Sequence, residues 1–320
     1  MNVLAIETSC DDTAAAVVGQ GGVLSDVIHS QGVHVAYGGV VPELASRAHT
    51  EQLVPVVRAA LERAGLVRPD AVAATAGPGL IGALLVGLSF GKAAALGWGV
   101  PFIAVNHLEG HILAPLLDDP APAFPYISLL ISGGHTALYV VRGVGSYDLL
   151  GETVDDAVGE AFDKVARMLG LPYPGGPGID NLAKQGAALI PFPQPRVGAY
   201  GVSLAGLKTA VRTYLQRHPD VAPADVAASF QHAVAELLVD RVVAAAAATA
   251  IRRVALGGGA AANRGIRARI VATGLHTFLP PQDRCTDNAA MIANVARLRL
   301  LAGWPASPLS ATARARWSVA

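Results

Sequence analysis

His107 and His111, in Asn106-His107-Leu108-Glu109-Gly110-His111, stand four residues apart. On a helix this spacing puts both imidazoles on one face and within reach of one cation. Two ligands leave a metal site incomplete, so a third must come from elsewhere. The same spacing also suits two hydrogen-bonded histidines of an ordinary helix. In the zinc-peptidase pattern a glutamate directly follows the first histidine. Here Leu108 stands there, and Glu109 lies ~200° round the helix from His107. Asp287, in Cys285-Thr286-Asp287-Asn288 ahead of an apolar run from Ala289, reads either as a helix N-cap or as a carboxylate ligand at a helix start.

Three glycine turns follow apolar strands: Gly77-Pro78-Gly79, Ser132-Gly133-Gly134 and Gly257-Gly258-Gly259. Such turns present successive backbone N–H groups to an anion, helped by the positive end of a following helix, although glycine also makes ordinary tight turns. None carries the phosphate-loop GK[ST], and the first strand lacks a full G-x-G-x-x-G, which disfavours a P-loop NTPase or a simple dinucleotide enzyme. The acids Asp155, Asp156, Glu160 and Asp163 crowd one predicted helix with like-charge neighbours at i, i+3 and i, i+4. They form either a solvated face or a binding site for hydroxyls or a cation.

The elements that must position these residues are α/β. Strands over Val3–Ile6 and Thr13–Val18 flank a polar turn, Glu7 to Asp12, as a hairpin with an acidic tip. Pro42 to Ala64 predicts an amphipathic helix stopped by Gly65. A strand at Val72–Thr75, a buried helix over Leu80–Gly91 and a strand at Phe102–Val105 follow. The pattern then repeats: Thr136–Val141 echoes Thr13–Val18, and Val254–Gly259 echoes Ala73–Gly79. The second echo lies further along than the first, so the second half carries an insertion, a helical stretch over about 155–249. Two copies of one unit imply two similar lobes with a cleft between their turns.

Composition narrows the class. With 320 residues, 52% hydrophobic and 15% charged, the chain can bury a large core and is not of the disordered type. Lys plus Arg and Asp plus Glu each number 24, so no net field draws nucleic acid or anionic lipid. Any nucleic-acid contact must be local or shared with a partner. Two cysteines, Cys10 and Cys285, make no disulfide framework and fit a reducing, cytoplasmic setting. The first residues, MNVLAIE, lack the basic start of an export signal. The uncharged run Ala71–Gly91 approaches the ~20 residues of a membrane span, but Gly77-Pro78-Gly79 interrupts it, so no membrane association is expected.

Several strings together resemble one family. They are Ala5-Ile6-Glu7-Thr8-Ser9-Cys10-Asp11-Asp12-Thr13, Gly39 to Arg47 (GVVPELASR), Gly77-Pro78-Gly79-Leu80, Asn106 to His111, and Ser132-Gly133-Gly134-His135-Thr136. Gly159-Glu160-Ala161-Phe162-Asp163-Lys164, Tyr173 to Pro177 (YPGGP), Gly206-Leu207-Lys208-Thr209, and Gly257-Gly258-Gly259 with Asn263 complete the set. In this order, over nearly the whole chain, they resemble the TsaD family of tRNA threonylcarbamoyltransferases, formerly called O-sialoglycoprotein endopeptidases.

The resemblance implies a two-lobed fold of the actin, sugar-kinase and Hsp70 ATPase superfamily, with duplicated ribonuclease-H-like lobes and a helical insertion in the second. The first lobe would span 1–106 with 290–320 returning to it, the second 107–289. The implied activity moves a threonylcarbamoyl group from threonylcarbamoyl-AMP to the exocyclic amine of the adenosine 3′ of the anticodon, in tRNAs reading codons that begin with A, releasing AMP. His107, His111 and Asp287 would then hold one divalent metal, iron, with zinc or magnesium in some members. It would polarise the carbamoyl carbonyl while backbone amides stabilise the oxyanion. Leu130, Ile131, Ser132, Gly133 and Gly134 would line the substrate, and Asp163, Gly176, Asp180 and Asn263 would hold the adenosine portion. Asp11 or Asp12 is the expected group that orients the attacking amine or a water. The implied partners are the paralogue TsaB, as a heterodimer, and the ATPase TsaE.

Val202-Ser203-Leu204-Ala205 departs from the aromatic-rich string that precedes Gly-Leu-Lys-Thr in the family, and the tail from Ser307, with Arg314 and Arg316, is atypical. Arg264, Arg267 and Arg269 are local candidates for tRNA contact. The competing readings are a metallopeptidase, a small-molecule kinase or ATPase of the same superfamily, and a non-catalytic scaffold.

Overall fold

The computed structural model describes residues 1–195 and 197–319. The chain forms two compact units, Met1–Ala121 with Asp287–Ala320, and Pro122–Thr286.

In the first unit, β1 (Val3–Glu7), β2 (Asp12–Gly19), β3 (Gly22–Ser30), β4 (Ala71–Gly77) and β5 (Phe102–Asn106) form a sheet of order β3-β2-β1-β4-β5. β1 to β3 are antiparallel, and β1, β4 and β5 run parallel. Every residue of β1, β4 and β5 is buried, as their near-continuous apolar runs require of parallel strands covered on both faces. α1 (Pro42–Arg63) begins with proline, whose missing N–H costs nothing there, and Gly65 follows its end at φ +65°. α2 (Ile81–Trp98) packs on β4 and α1, α3 (His107–Leu113) follows β5 directly, and α9 (Ala289–Leu301) packs on β1, β2 and α3.

α2 runs past its expected end at Gly91 because Lys92–Leu96 are good helix formers that carry it through Gly97, and Gly99, at φ +63°, ends it instead. Its interior glycines permit close packing: a Cβ at Gly87 would run into Thr8 Oγ1, and one at Gly91 would lie 3.0 Å from Ala74 Cβ. The helix is less buried than expected, because Ile81, Leu85 and Leu96 form an exposed apolar face. By length and composition alone α2 could also cross a bilayer.

The tail is not loose. Ser307 N–H donates to Phe102 O, Arg314 N–H to Ala76 O, and Lys92 Nζ to Ala311 O. Ala311, Ala313 and Trp317 pack against the core of this unit, with the Arg314 guanidinium over the Trp317 ring.

In the second unit, β6 (Tyr126–Ile131), β7 (Thr136–Gly143), β8 (Ser146–Glu152), β9 (Arg253–Gly257) and β10 (His276–Phe278) form a sheet of order β8-β7-β6-β9-β10. Its antiparallel and parallel pairings match those of the first sheet strand for strand, with β7 in the place of β2 and β9 in that of β4. The echoes in the sequence therefore mark a structural duplication. Between β8 and β9 lie α4 (Val158–Met168), α5 (Gly175–Ala183), α6 (Ala205–Arg217) and α7 (Pro223–Thr249), where the first unit has a short 3-10 turn (Gly32–Tyr37) and α1. α8 (Arg264–Val271) joins β9 to β10. The core centres on Phe162 of α4 and Phe230 of α7, edge to face with centroids 5.0 Å apart. Each buried ring contributes about 1.5–3 kcal/mol.

The division falls elsewhere than the expected 106/107 and 289/290. α3 stays with the first unit because it packs on α9 and β5, and Asp287 stays with α9, which it precedes.

Candidate functional site

His107 opens α3 where β5 ends, and His111 sits one turn on, both buried. Asn106 starts the helix, its side chain accepting the Leu108 N–H at 2.9 Å. Asp287 is not the N-cap of α9. Asn288 takes that role, its Oδ1 accepting the Met291 N–H at 2.9 Å, and Asp287 turns toward the histidines instead. Asp287 Oδ1 lies 3.0 Å from His111 Nε2 and 3.4 Å from His107 Nε2. The ligating atoms of the three residues lie within 4.8 Å of one another.

Two imidazoles and a carboxylate suit iron or zinc, whereas the all-oxygen preference of magnesium suits this set less. Nine-tenths of the His107 side chain is inaccessible to solvent, and His111 is more deeply buried still. Burial disfavours the charged forms, but the imidazole of His107 between Asp287 and Glu7 outweighs it. His107 is held well above its usual pKa, Glu7 below and Asp287 well below theirs. Two imidazole nitrogens and a carboxylate oxygen, gathered this closely among buried acids, form a donor set that fits a divalent cation.

The structure joins α3 to α9 by a second pair that sequence reasoning missed. Glu109, buried on the face away from His107, receives Arg299 of α9 through both guanidinium nitrogens Nε and Nη2. Arg299 also donates to Ala104 O at 3.3 Å and stacks on Trp304. Glu109 is thereby occupied as a structural anion, which removes the base that a peptidase would need. Glu7 was also missed: its Oε2 lies 2.9 Å from His107 Nδ1. Its only sequence signal is an acid ending an otherwise apolar strand.

Asp11 and Asp12 sit in the turn after β1. Asp12 begins β2, and burial, with the charges of Asp287, Asp11 and Glu7, raises its carboxyl to about 7 against a hydrogen bond from Ser30. Asp12 is thus within electrostatic reach of the Asp287 carboxylate. The Asp11 carbonyl accepts the Gln31 N–H. Burial pushes the Cys10 thiol far up, out of range for a nucleophile. Behind the turn a buried network of Thr13, Gln31 and His34 centres on His49, whose Nε2 meets Cys10 O at 3.0 Å.

In the second unit, Leu130 and Ile131 lie inside β6, paired with Ala137 and Thr136 of β7, and are fully buried, backbone included, so the structure does not present them to a ligand. Ser132 N–H donates to His135 O at 2.8 Å, closing a turn in which Gly133 and Gly134 are exposed. Among the described residues neither glycine's N–H finds a partner. The other turns differ. At Gly77-Pro78-Gly79 the Gly79 N–H donates to Ala315 O, so the tail occupies it. At Gly258, φ is +90° and a Cβ would lie 2.5 Å from Ile131 O, so close strand approach explains that glycine.

The expected adenosine residues are largely engaged. Asp163 Oδ1 accepts the Gly175 N–H at 2.7 Å and fixes the start of α5, where Gly176 faces open space. Asp180 Oδ2 accepts from Arg264 Nε at 2.5 Å. Asn263 caps α8 through Ile266 N–H and donates to Gln231 Oε1 at 2.8 Å.

The acidic series is not one helix face. Asp155 and Asp156 precede α4, and Asp155 accepts from Ser203 Oγ and from the N–H groups of Leu204 and Ala205, capping α6 from a distance. Asp156 binds Lys164 and Lys208. The three candidate arginines are occupied as well: Arg264 by Asp180, Arg267 by Ala261 O and Pro280 O, and Arg269 by Glu236.

A family model described as TsaD, tRNA N6-adenosine threonylcarbamoyltransferase, matches residues 22–294. Among curated relatives, the tRNA N6-adenosine threonylcarbamoyltransferase of Anaeromyxobacter dehalogenans is 53% identical over 96% of both chains. That of Cytophaga hutchinsonii is 47% identical over 96% of this chain and 95% of its own. Among solved structures, HypF of T. kodakarensis has a TM-score of 0.68 at 15% identity, covering 94% of this chain and 48% of that one. This likeness shows the fold: a two-lobed α/β architecture with one of the duplicated sheets in each unit. The sequence matches span both units and include His107 and His111, and on them the chain belongs to the TsaD family of tRNA-modifying transferases.

Proposed function

We propose that this transferase moves a threonylcarbamoyl group from threonylcarbamoyl-AMP to the exocyclic amine of the adenosine 3′ of the anticodon, in tRNAs reading codons that begin with A, with release of AMP. The observation that carries the reading is the convergence of His107, His111 and Asp287 in a family of tRNA-modifying transferases. These three residues would hold one divalent metal, iron or zinc by donor type. When bound, the metal supplies Lewis-acid polarisation of the carbamoyl carbonyl.

The remaining work falls to the chain's own groups. The Gly133 and Gly134 N–H groups, exposed and without partners, are donors for the phosphate or the developing oxyanion. Asp180, with Oδ2 on Arg264, offers Oδ1 to a ribose hydroxyl, and Asp163 fixes Gly176 beside the nucleoside. Asn263 acts by holding α8 in place. Asp12 orients the attacking amine and accepts its proton, with Asp11 the alternative.

The chain is proposed to work in the cytoplasm with TsaE and, as a heterodimer, with TsaB. The test incubates metal-loaded protein with threonylcarbamoyl-AMP and unmodified tRNA, with and without the partners, and assays the nucleoside by mass spectrometry. Product is expected with partners present, lost in His111→Ala, and reduced when Asp11 and Asp12 are both replaced by Asn. No product, with steady ATP hydrolysis by this chain alone, would favour the kinase or ATPase reading.

A further inference from the structure

We propose that Glu7 is a positioning residue for the metal site, fixing His107 in the tautomer and ring orientation that present Nε2 to the cation. This rests on the metal reading above. Glu7 is the last residue of β1, and the parallel register that pairs Ile6 with Ala74 sets it beside Thr75 of β4. β5, the next strand, delivers His107. Three adjacent strand ends thus converge on one buried carboxylate, 1% exposed.

Both oxygens of that carboxylate are held. Ser9 N–H donates to Oε1 at 2.5 Å, and Thr75 Oγ1 donates to Oε2 at 2.6 Å. Oε2 also lies 2.9 Å from His107 Nδ1, with Ser9 Oγ at 3.2 Å. A carboxylate anchored at both oxygens cannot rotate away, and an imidazole nitrogen facing it must carry the proton. Nδ1–H therefore points at Glu7, while Nε2, which faces Asp287 at 3.4 Å, is the nitrogen that gives up its proton when a cation binds there. Without Glu7 the ring can adopt either tautomer, and only one of the two ligates. A carboxylate behind a ligating histidine commonly governs metal affinity in this way, by 10–100-fold on removal.

The experiment compares the full-length wild type with Glu7→Gln and Thr75→Val, using Zn2+ as a diamagnetic probe. Zinc affinity is measured by chelator competition, and the histidine tautomers by long-range 1H–15N NMR of the same samples. Wild type is expected to bind one zinc with His107 protonated on Nδ1. Glu7→Gln is expected to bind about 10–100-fold more weakly, at unchanged stoichiometry and with mixed His107 tautomers in the metal-free chain. Thr75→Val is expected to shift both readouts in the same direction by less, and it carries the test if Glu7→Gln does not fold. Equal zinc affinity in wild type and variants, or a zinc-bound wild-type His107 that carries its proton on Nε2, would overturn the proposal while leaving the metal reading intact. If wild type itself binds no zinc, the metal reading falls and the proposal falls with it.

Discussion

Arg299→Ala should unlock α3 from α9, the two helices that position the proposed metal ligands. The guanidinium holds Glu109 of α3 against α9, and Glu109 is 1% exposed, so its removal strips a buried carboxylate of the Arg299 charge. Breaking one side of such a pair costs about 3–5 kcal/mol, and the contacts to Ala104 O and Trp304 are lost with it. At ~2–4 °C per kcal/mol for a unit of this size, the melting midpoint should fall by about 6–20 °C. Calorimetry or circular-dichroism melts would measure it. The double variant Glu109→Met with Arg299→Met removes both charges and should recover most of the loss, because the cost lies in the uncompensated charge more than in the missing attraction. A single variant costing less than ~1 kcal/mol, or a double variant as costly as the singles summed, would refute the reasoning.

Asn288→Ala should cost about 1 kcal/mol by uncapping α9, and it should weaken metal binding in isothermal titration, since the capped turn aims Asp287. The chain should lose stability in acid. The folded-state pKa values of Asp155 and Asp156 lie below 3.8, the first through hydrogen bonds from Leu204, Ser203 and Ala205, the second through Lys164 and Lys208, each against the cost of burial. Their contribution is present above pH ~3.8 and vanishes as pH falls through the folded values, so Asp155→Ala should flatten that limb of a stability-against-pH curve. Gly77→Ala should destabilise the first unit and release the tail. The position has φ +145°, and a Cβ there would run into Arg314 O, so limited proteolysis should cut beyond 306 sooner than in wild type.

Much of this was legible from short-range pattern. Pro42 and Gly65 bracket α1, the i, i+4 histidines fall on a helix, and two apolar strings at corresponding places in two sheets disclosed the duplication. What stayed hidden depends on register and on choices between equals. Asp287 and Asn288 are both good N-caps, and only the fold decides that Asn288 caps while Asp287 is free to face His111. Glu7 meets His107 because three parallel strands end side by side, a pairing no local window contains. Arg264 and Arg269 look like free cations until folding brings Asp180 and Glu236 to them. The tail carries no periodic signal, because it is held by backbone hydrogen bonds to β4 and β5 and by the packing of Trp317.

The most direct test of the central claim is a single-turnover transfer assay on chelator-stripped protein reloaded with graded amounts of metal, with partners and threonylcarbamoyl-AMP in excess. Modified adenosine should rise in proportion to metal bound, up to one per chain, and both quantities should vanish together in Asp287→Ala. Full transfer by the stripped wild type, or metal uptake that Asp287→Ala leaves unchanged, would contradict the account.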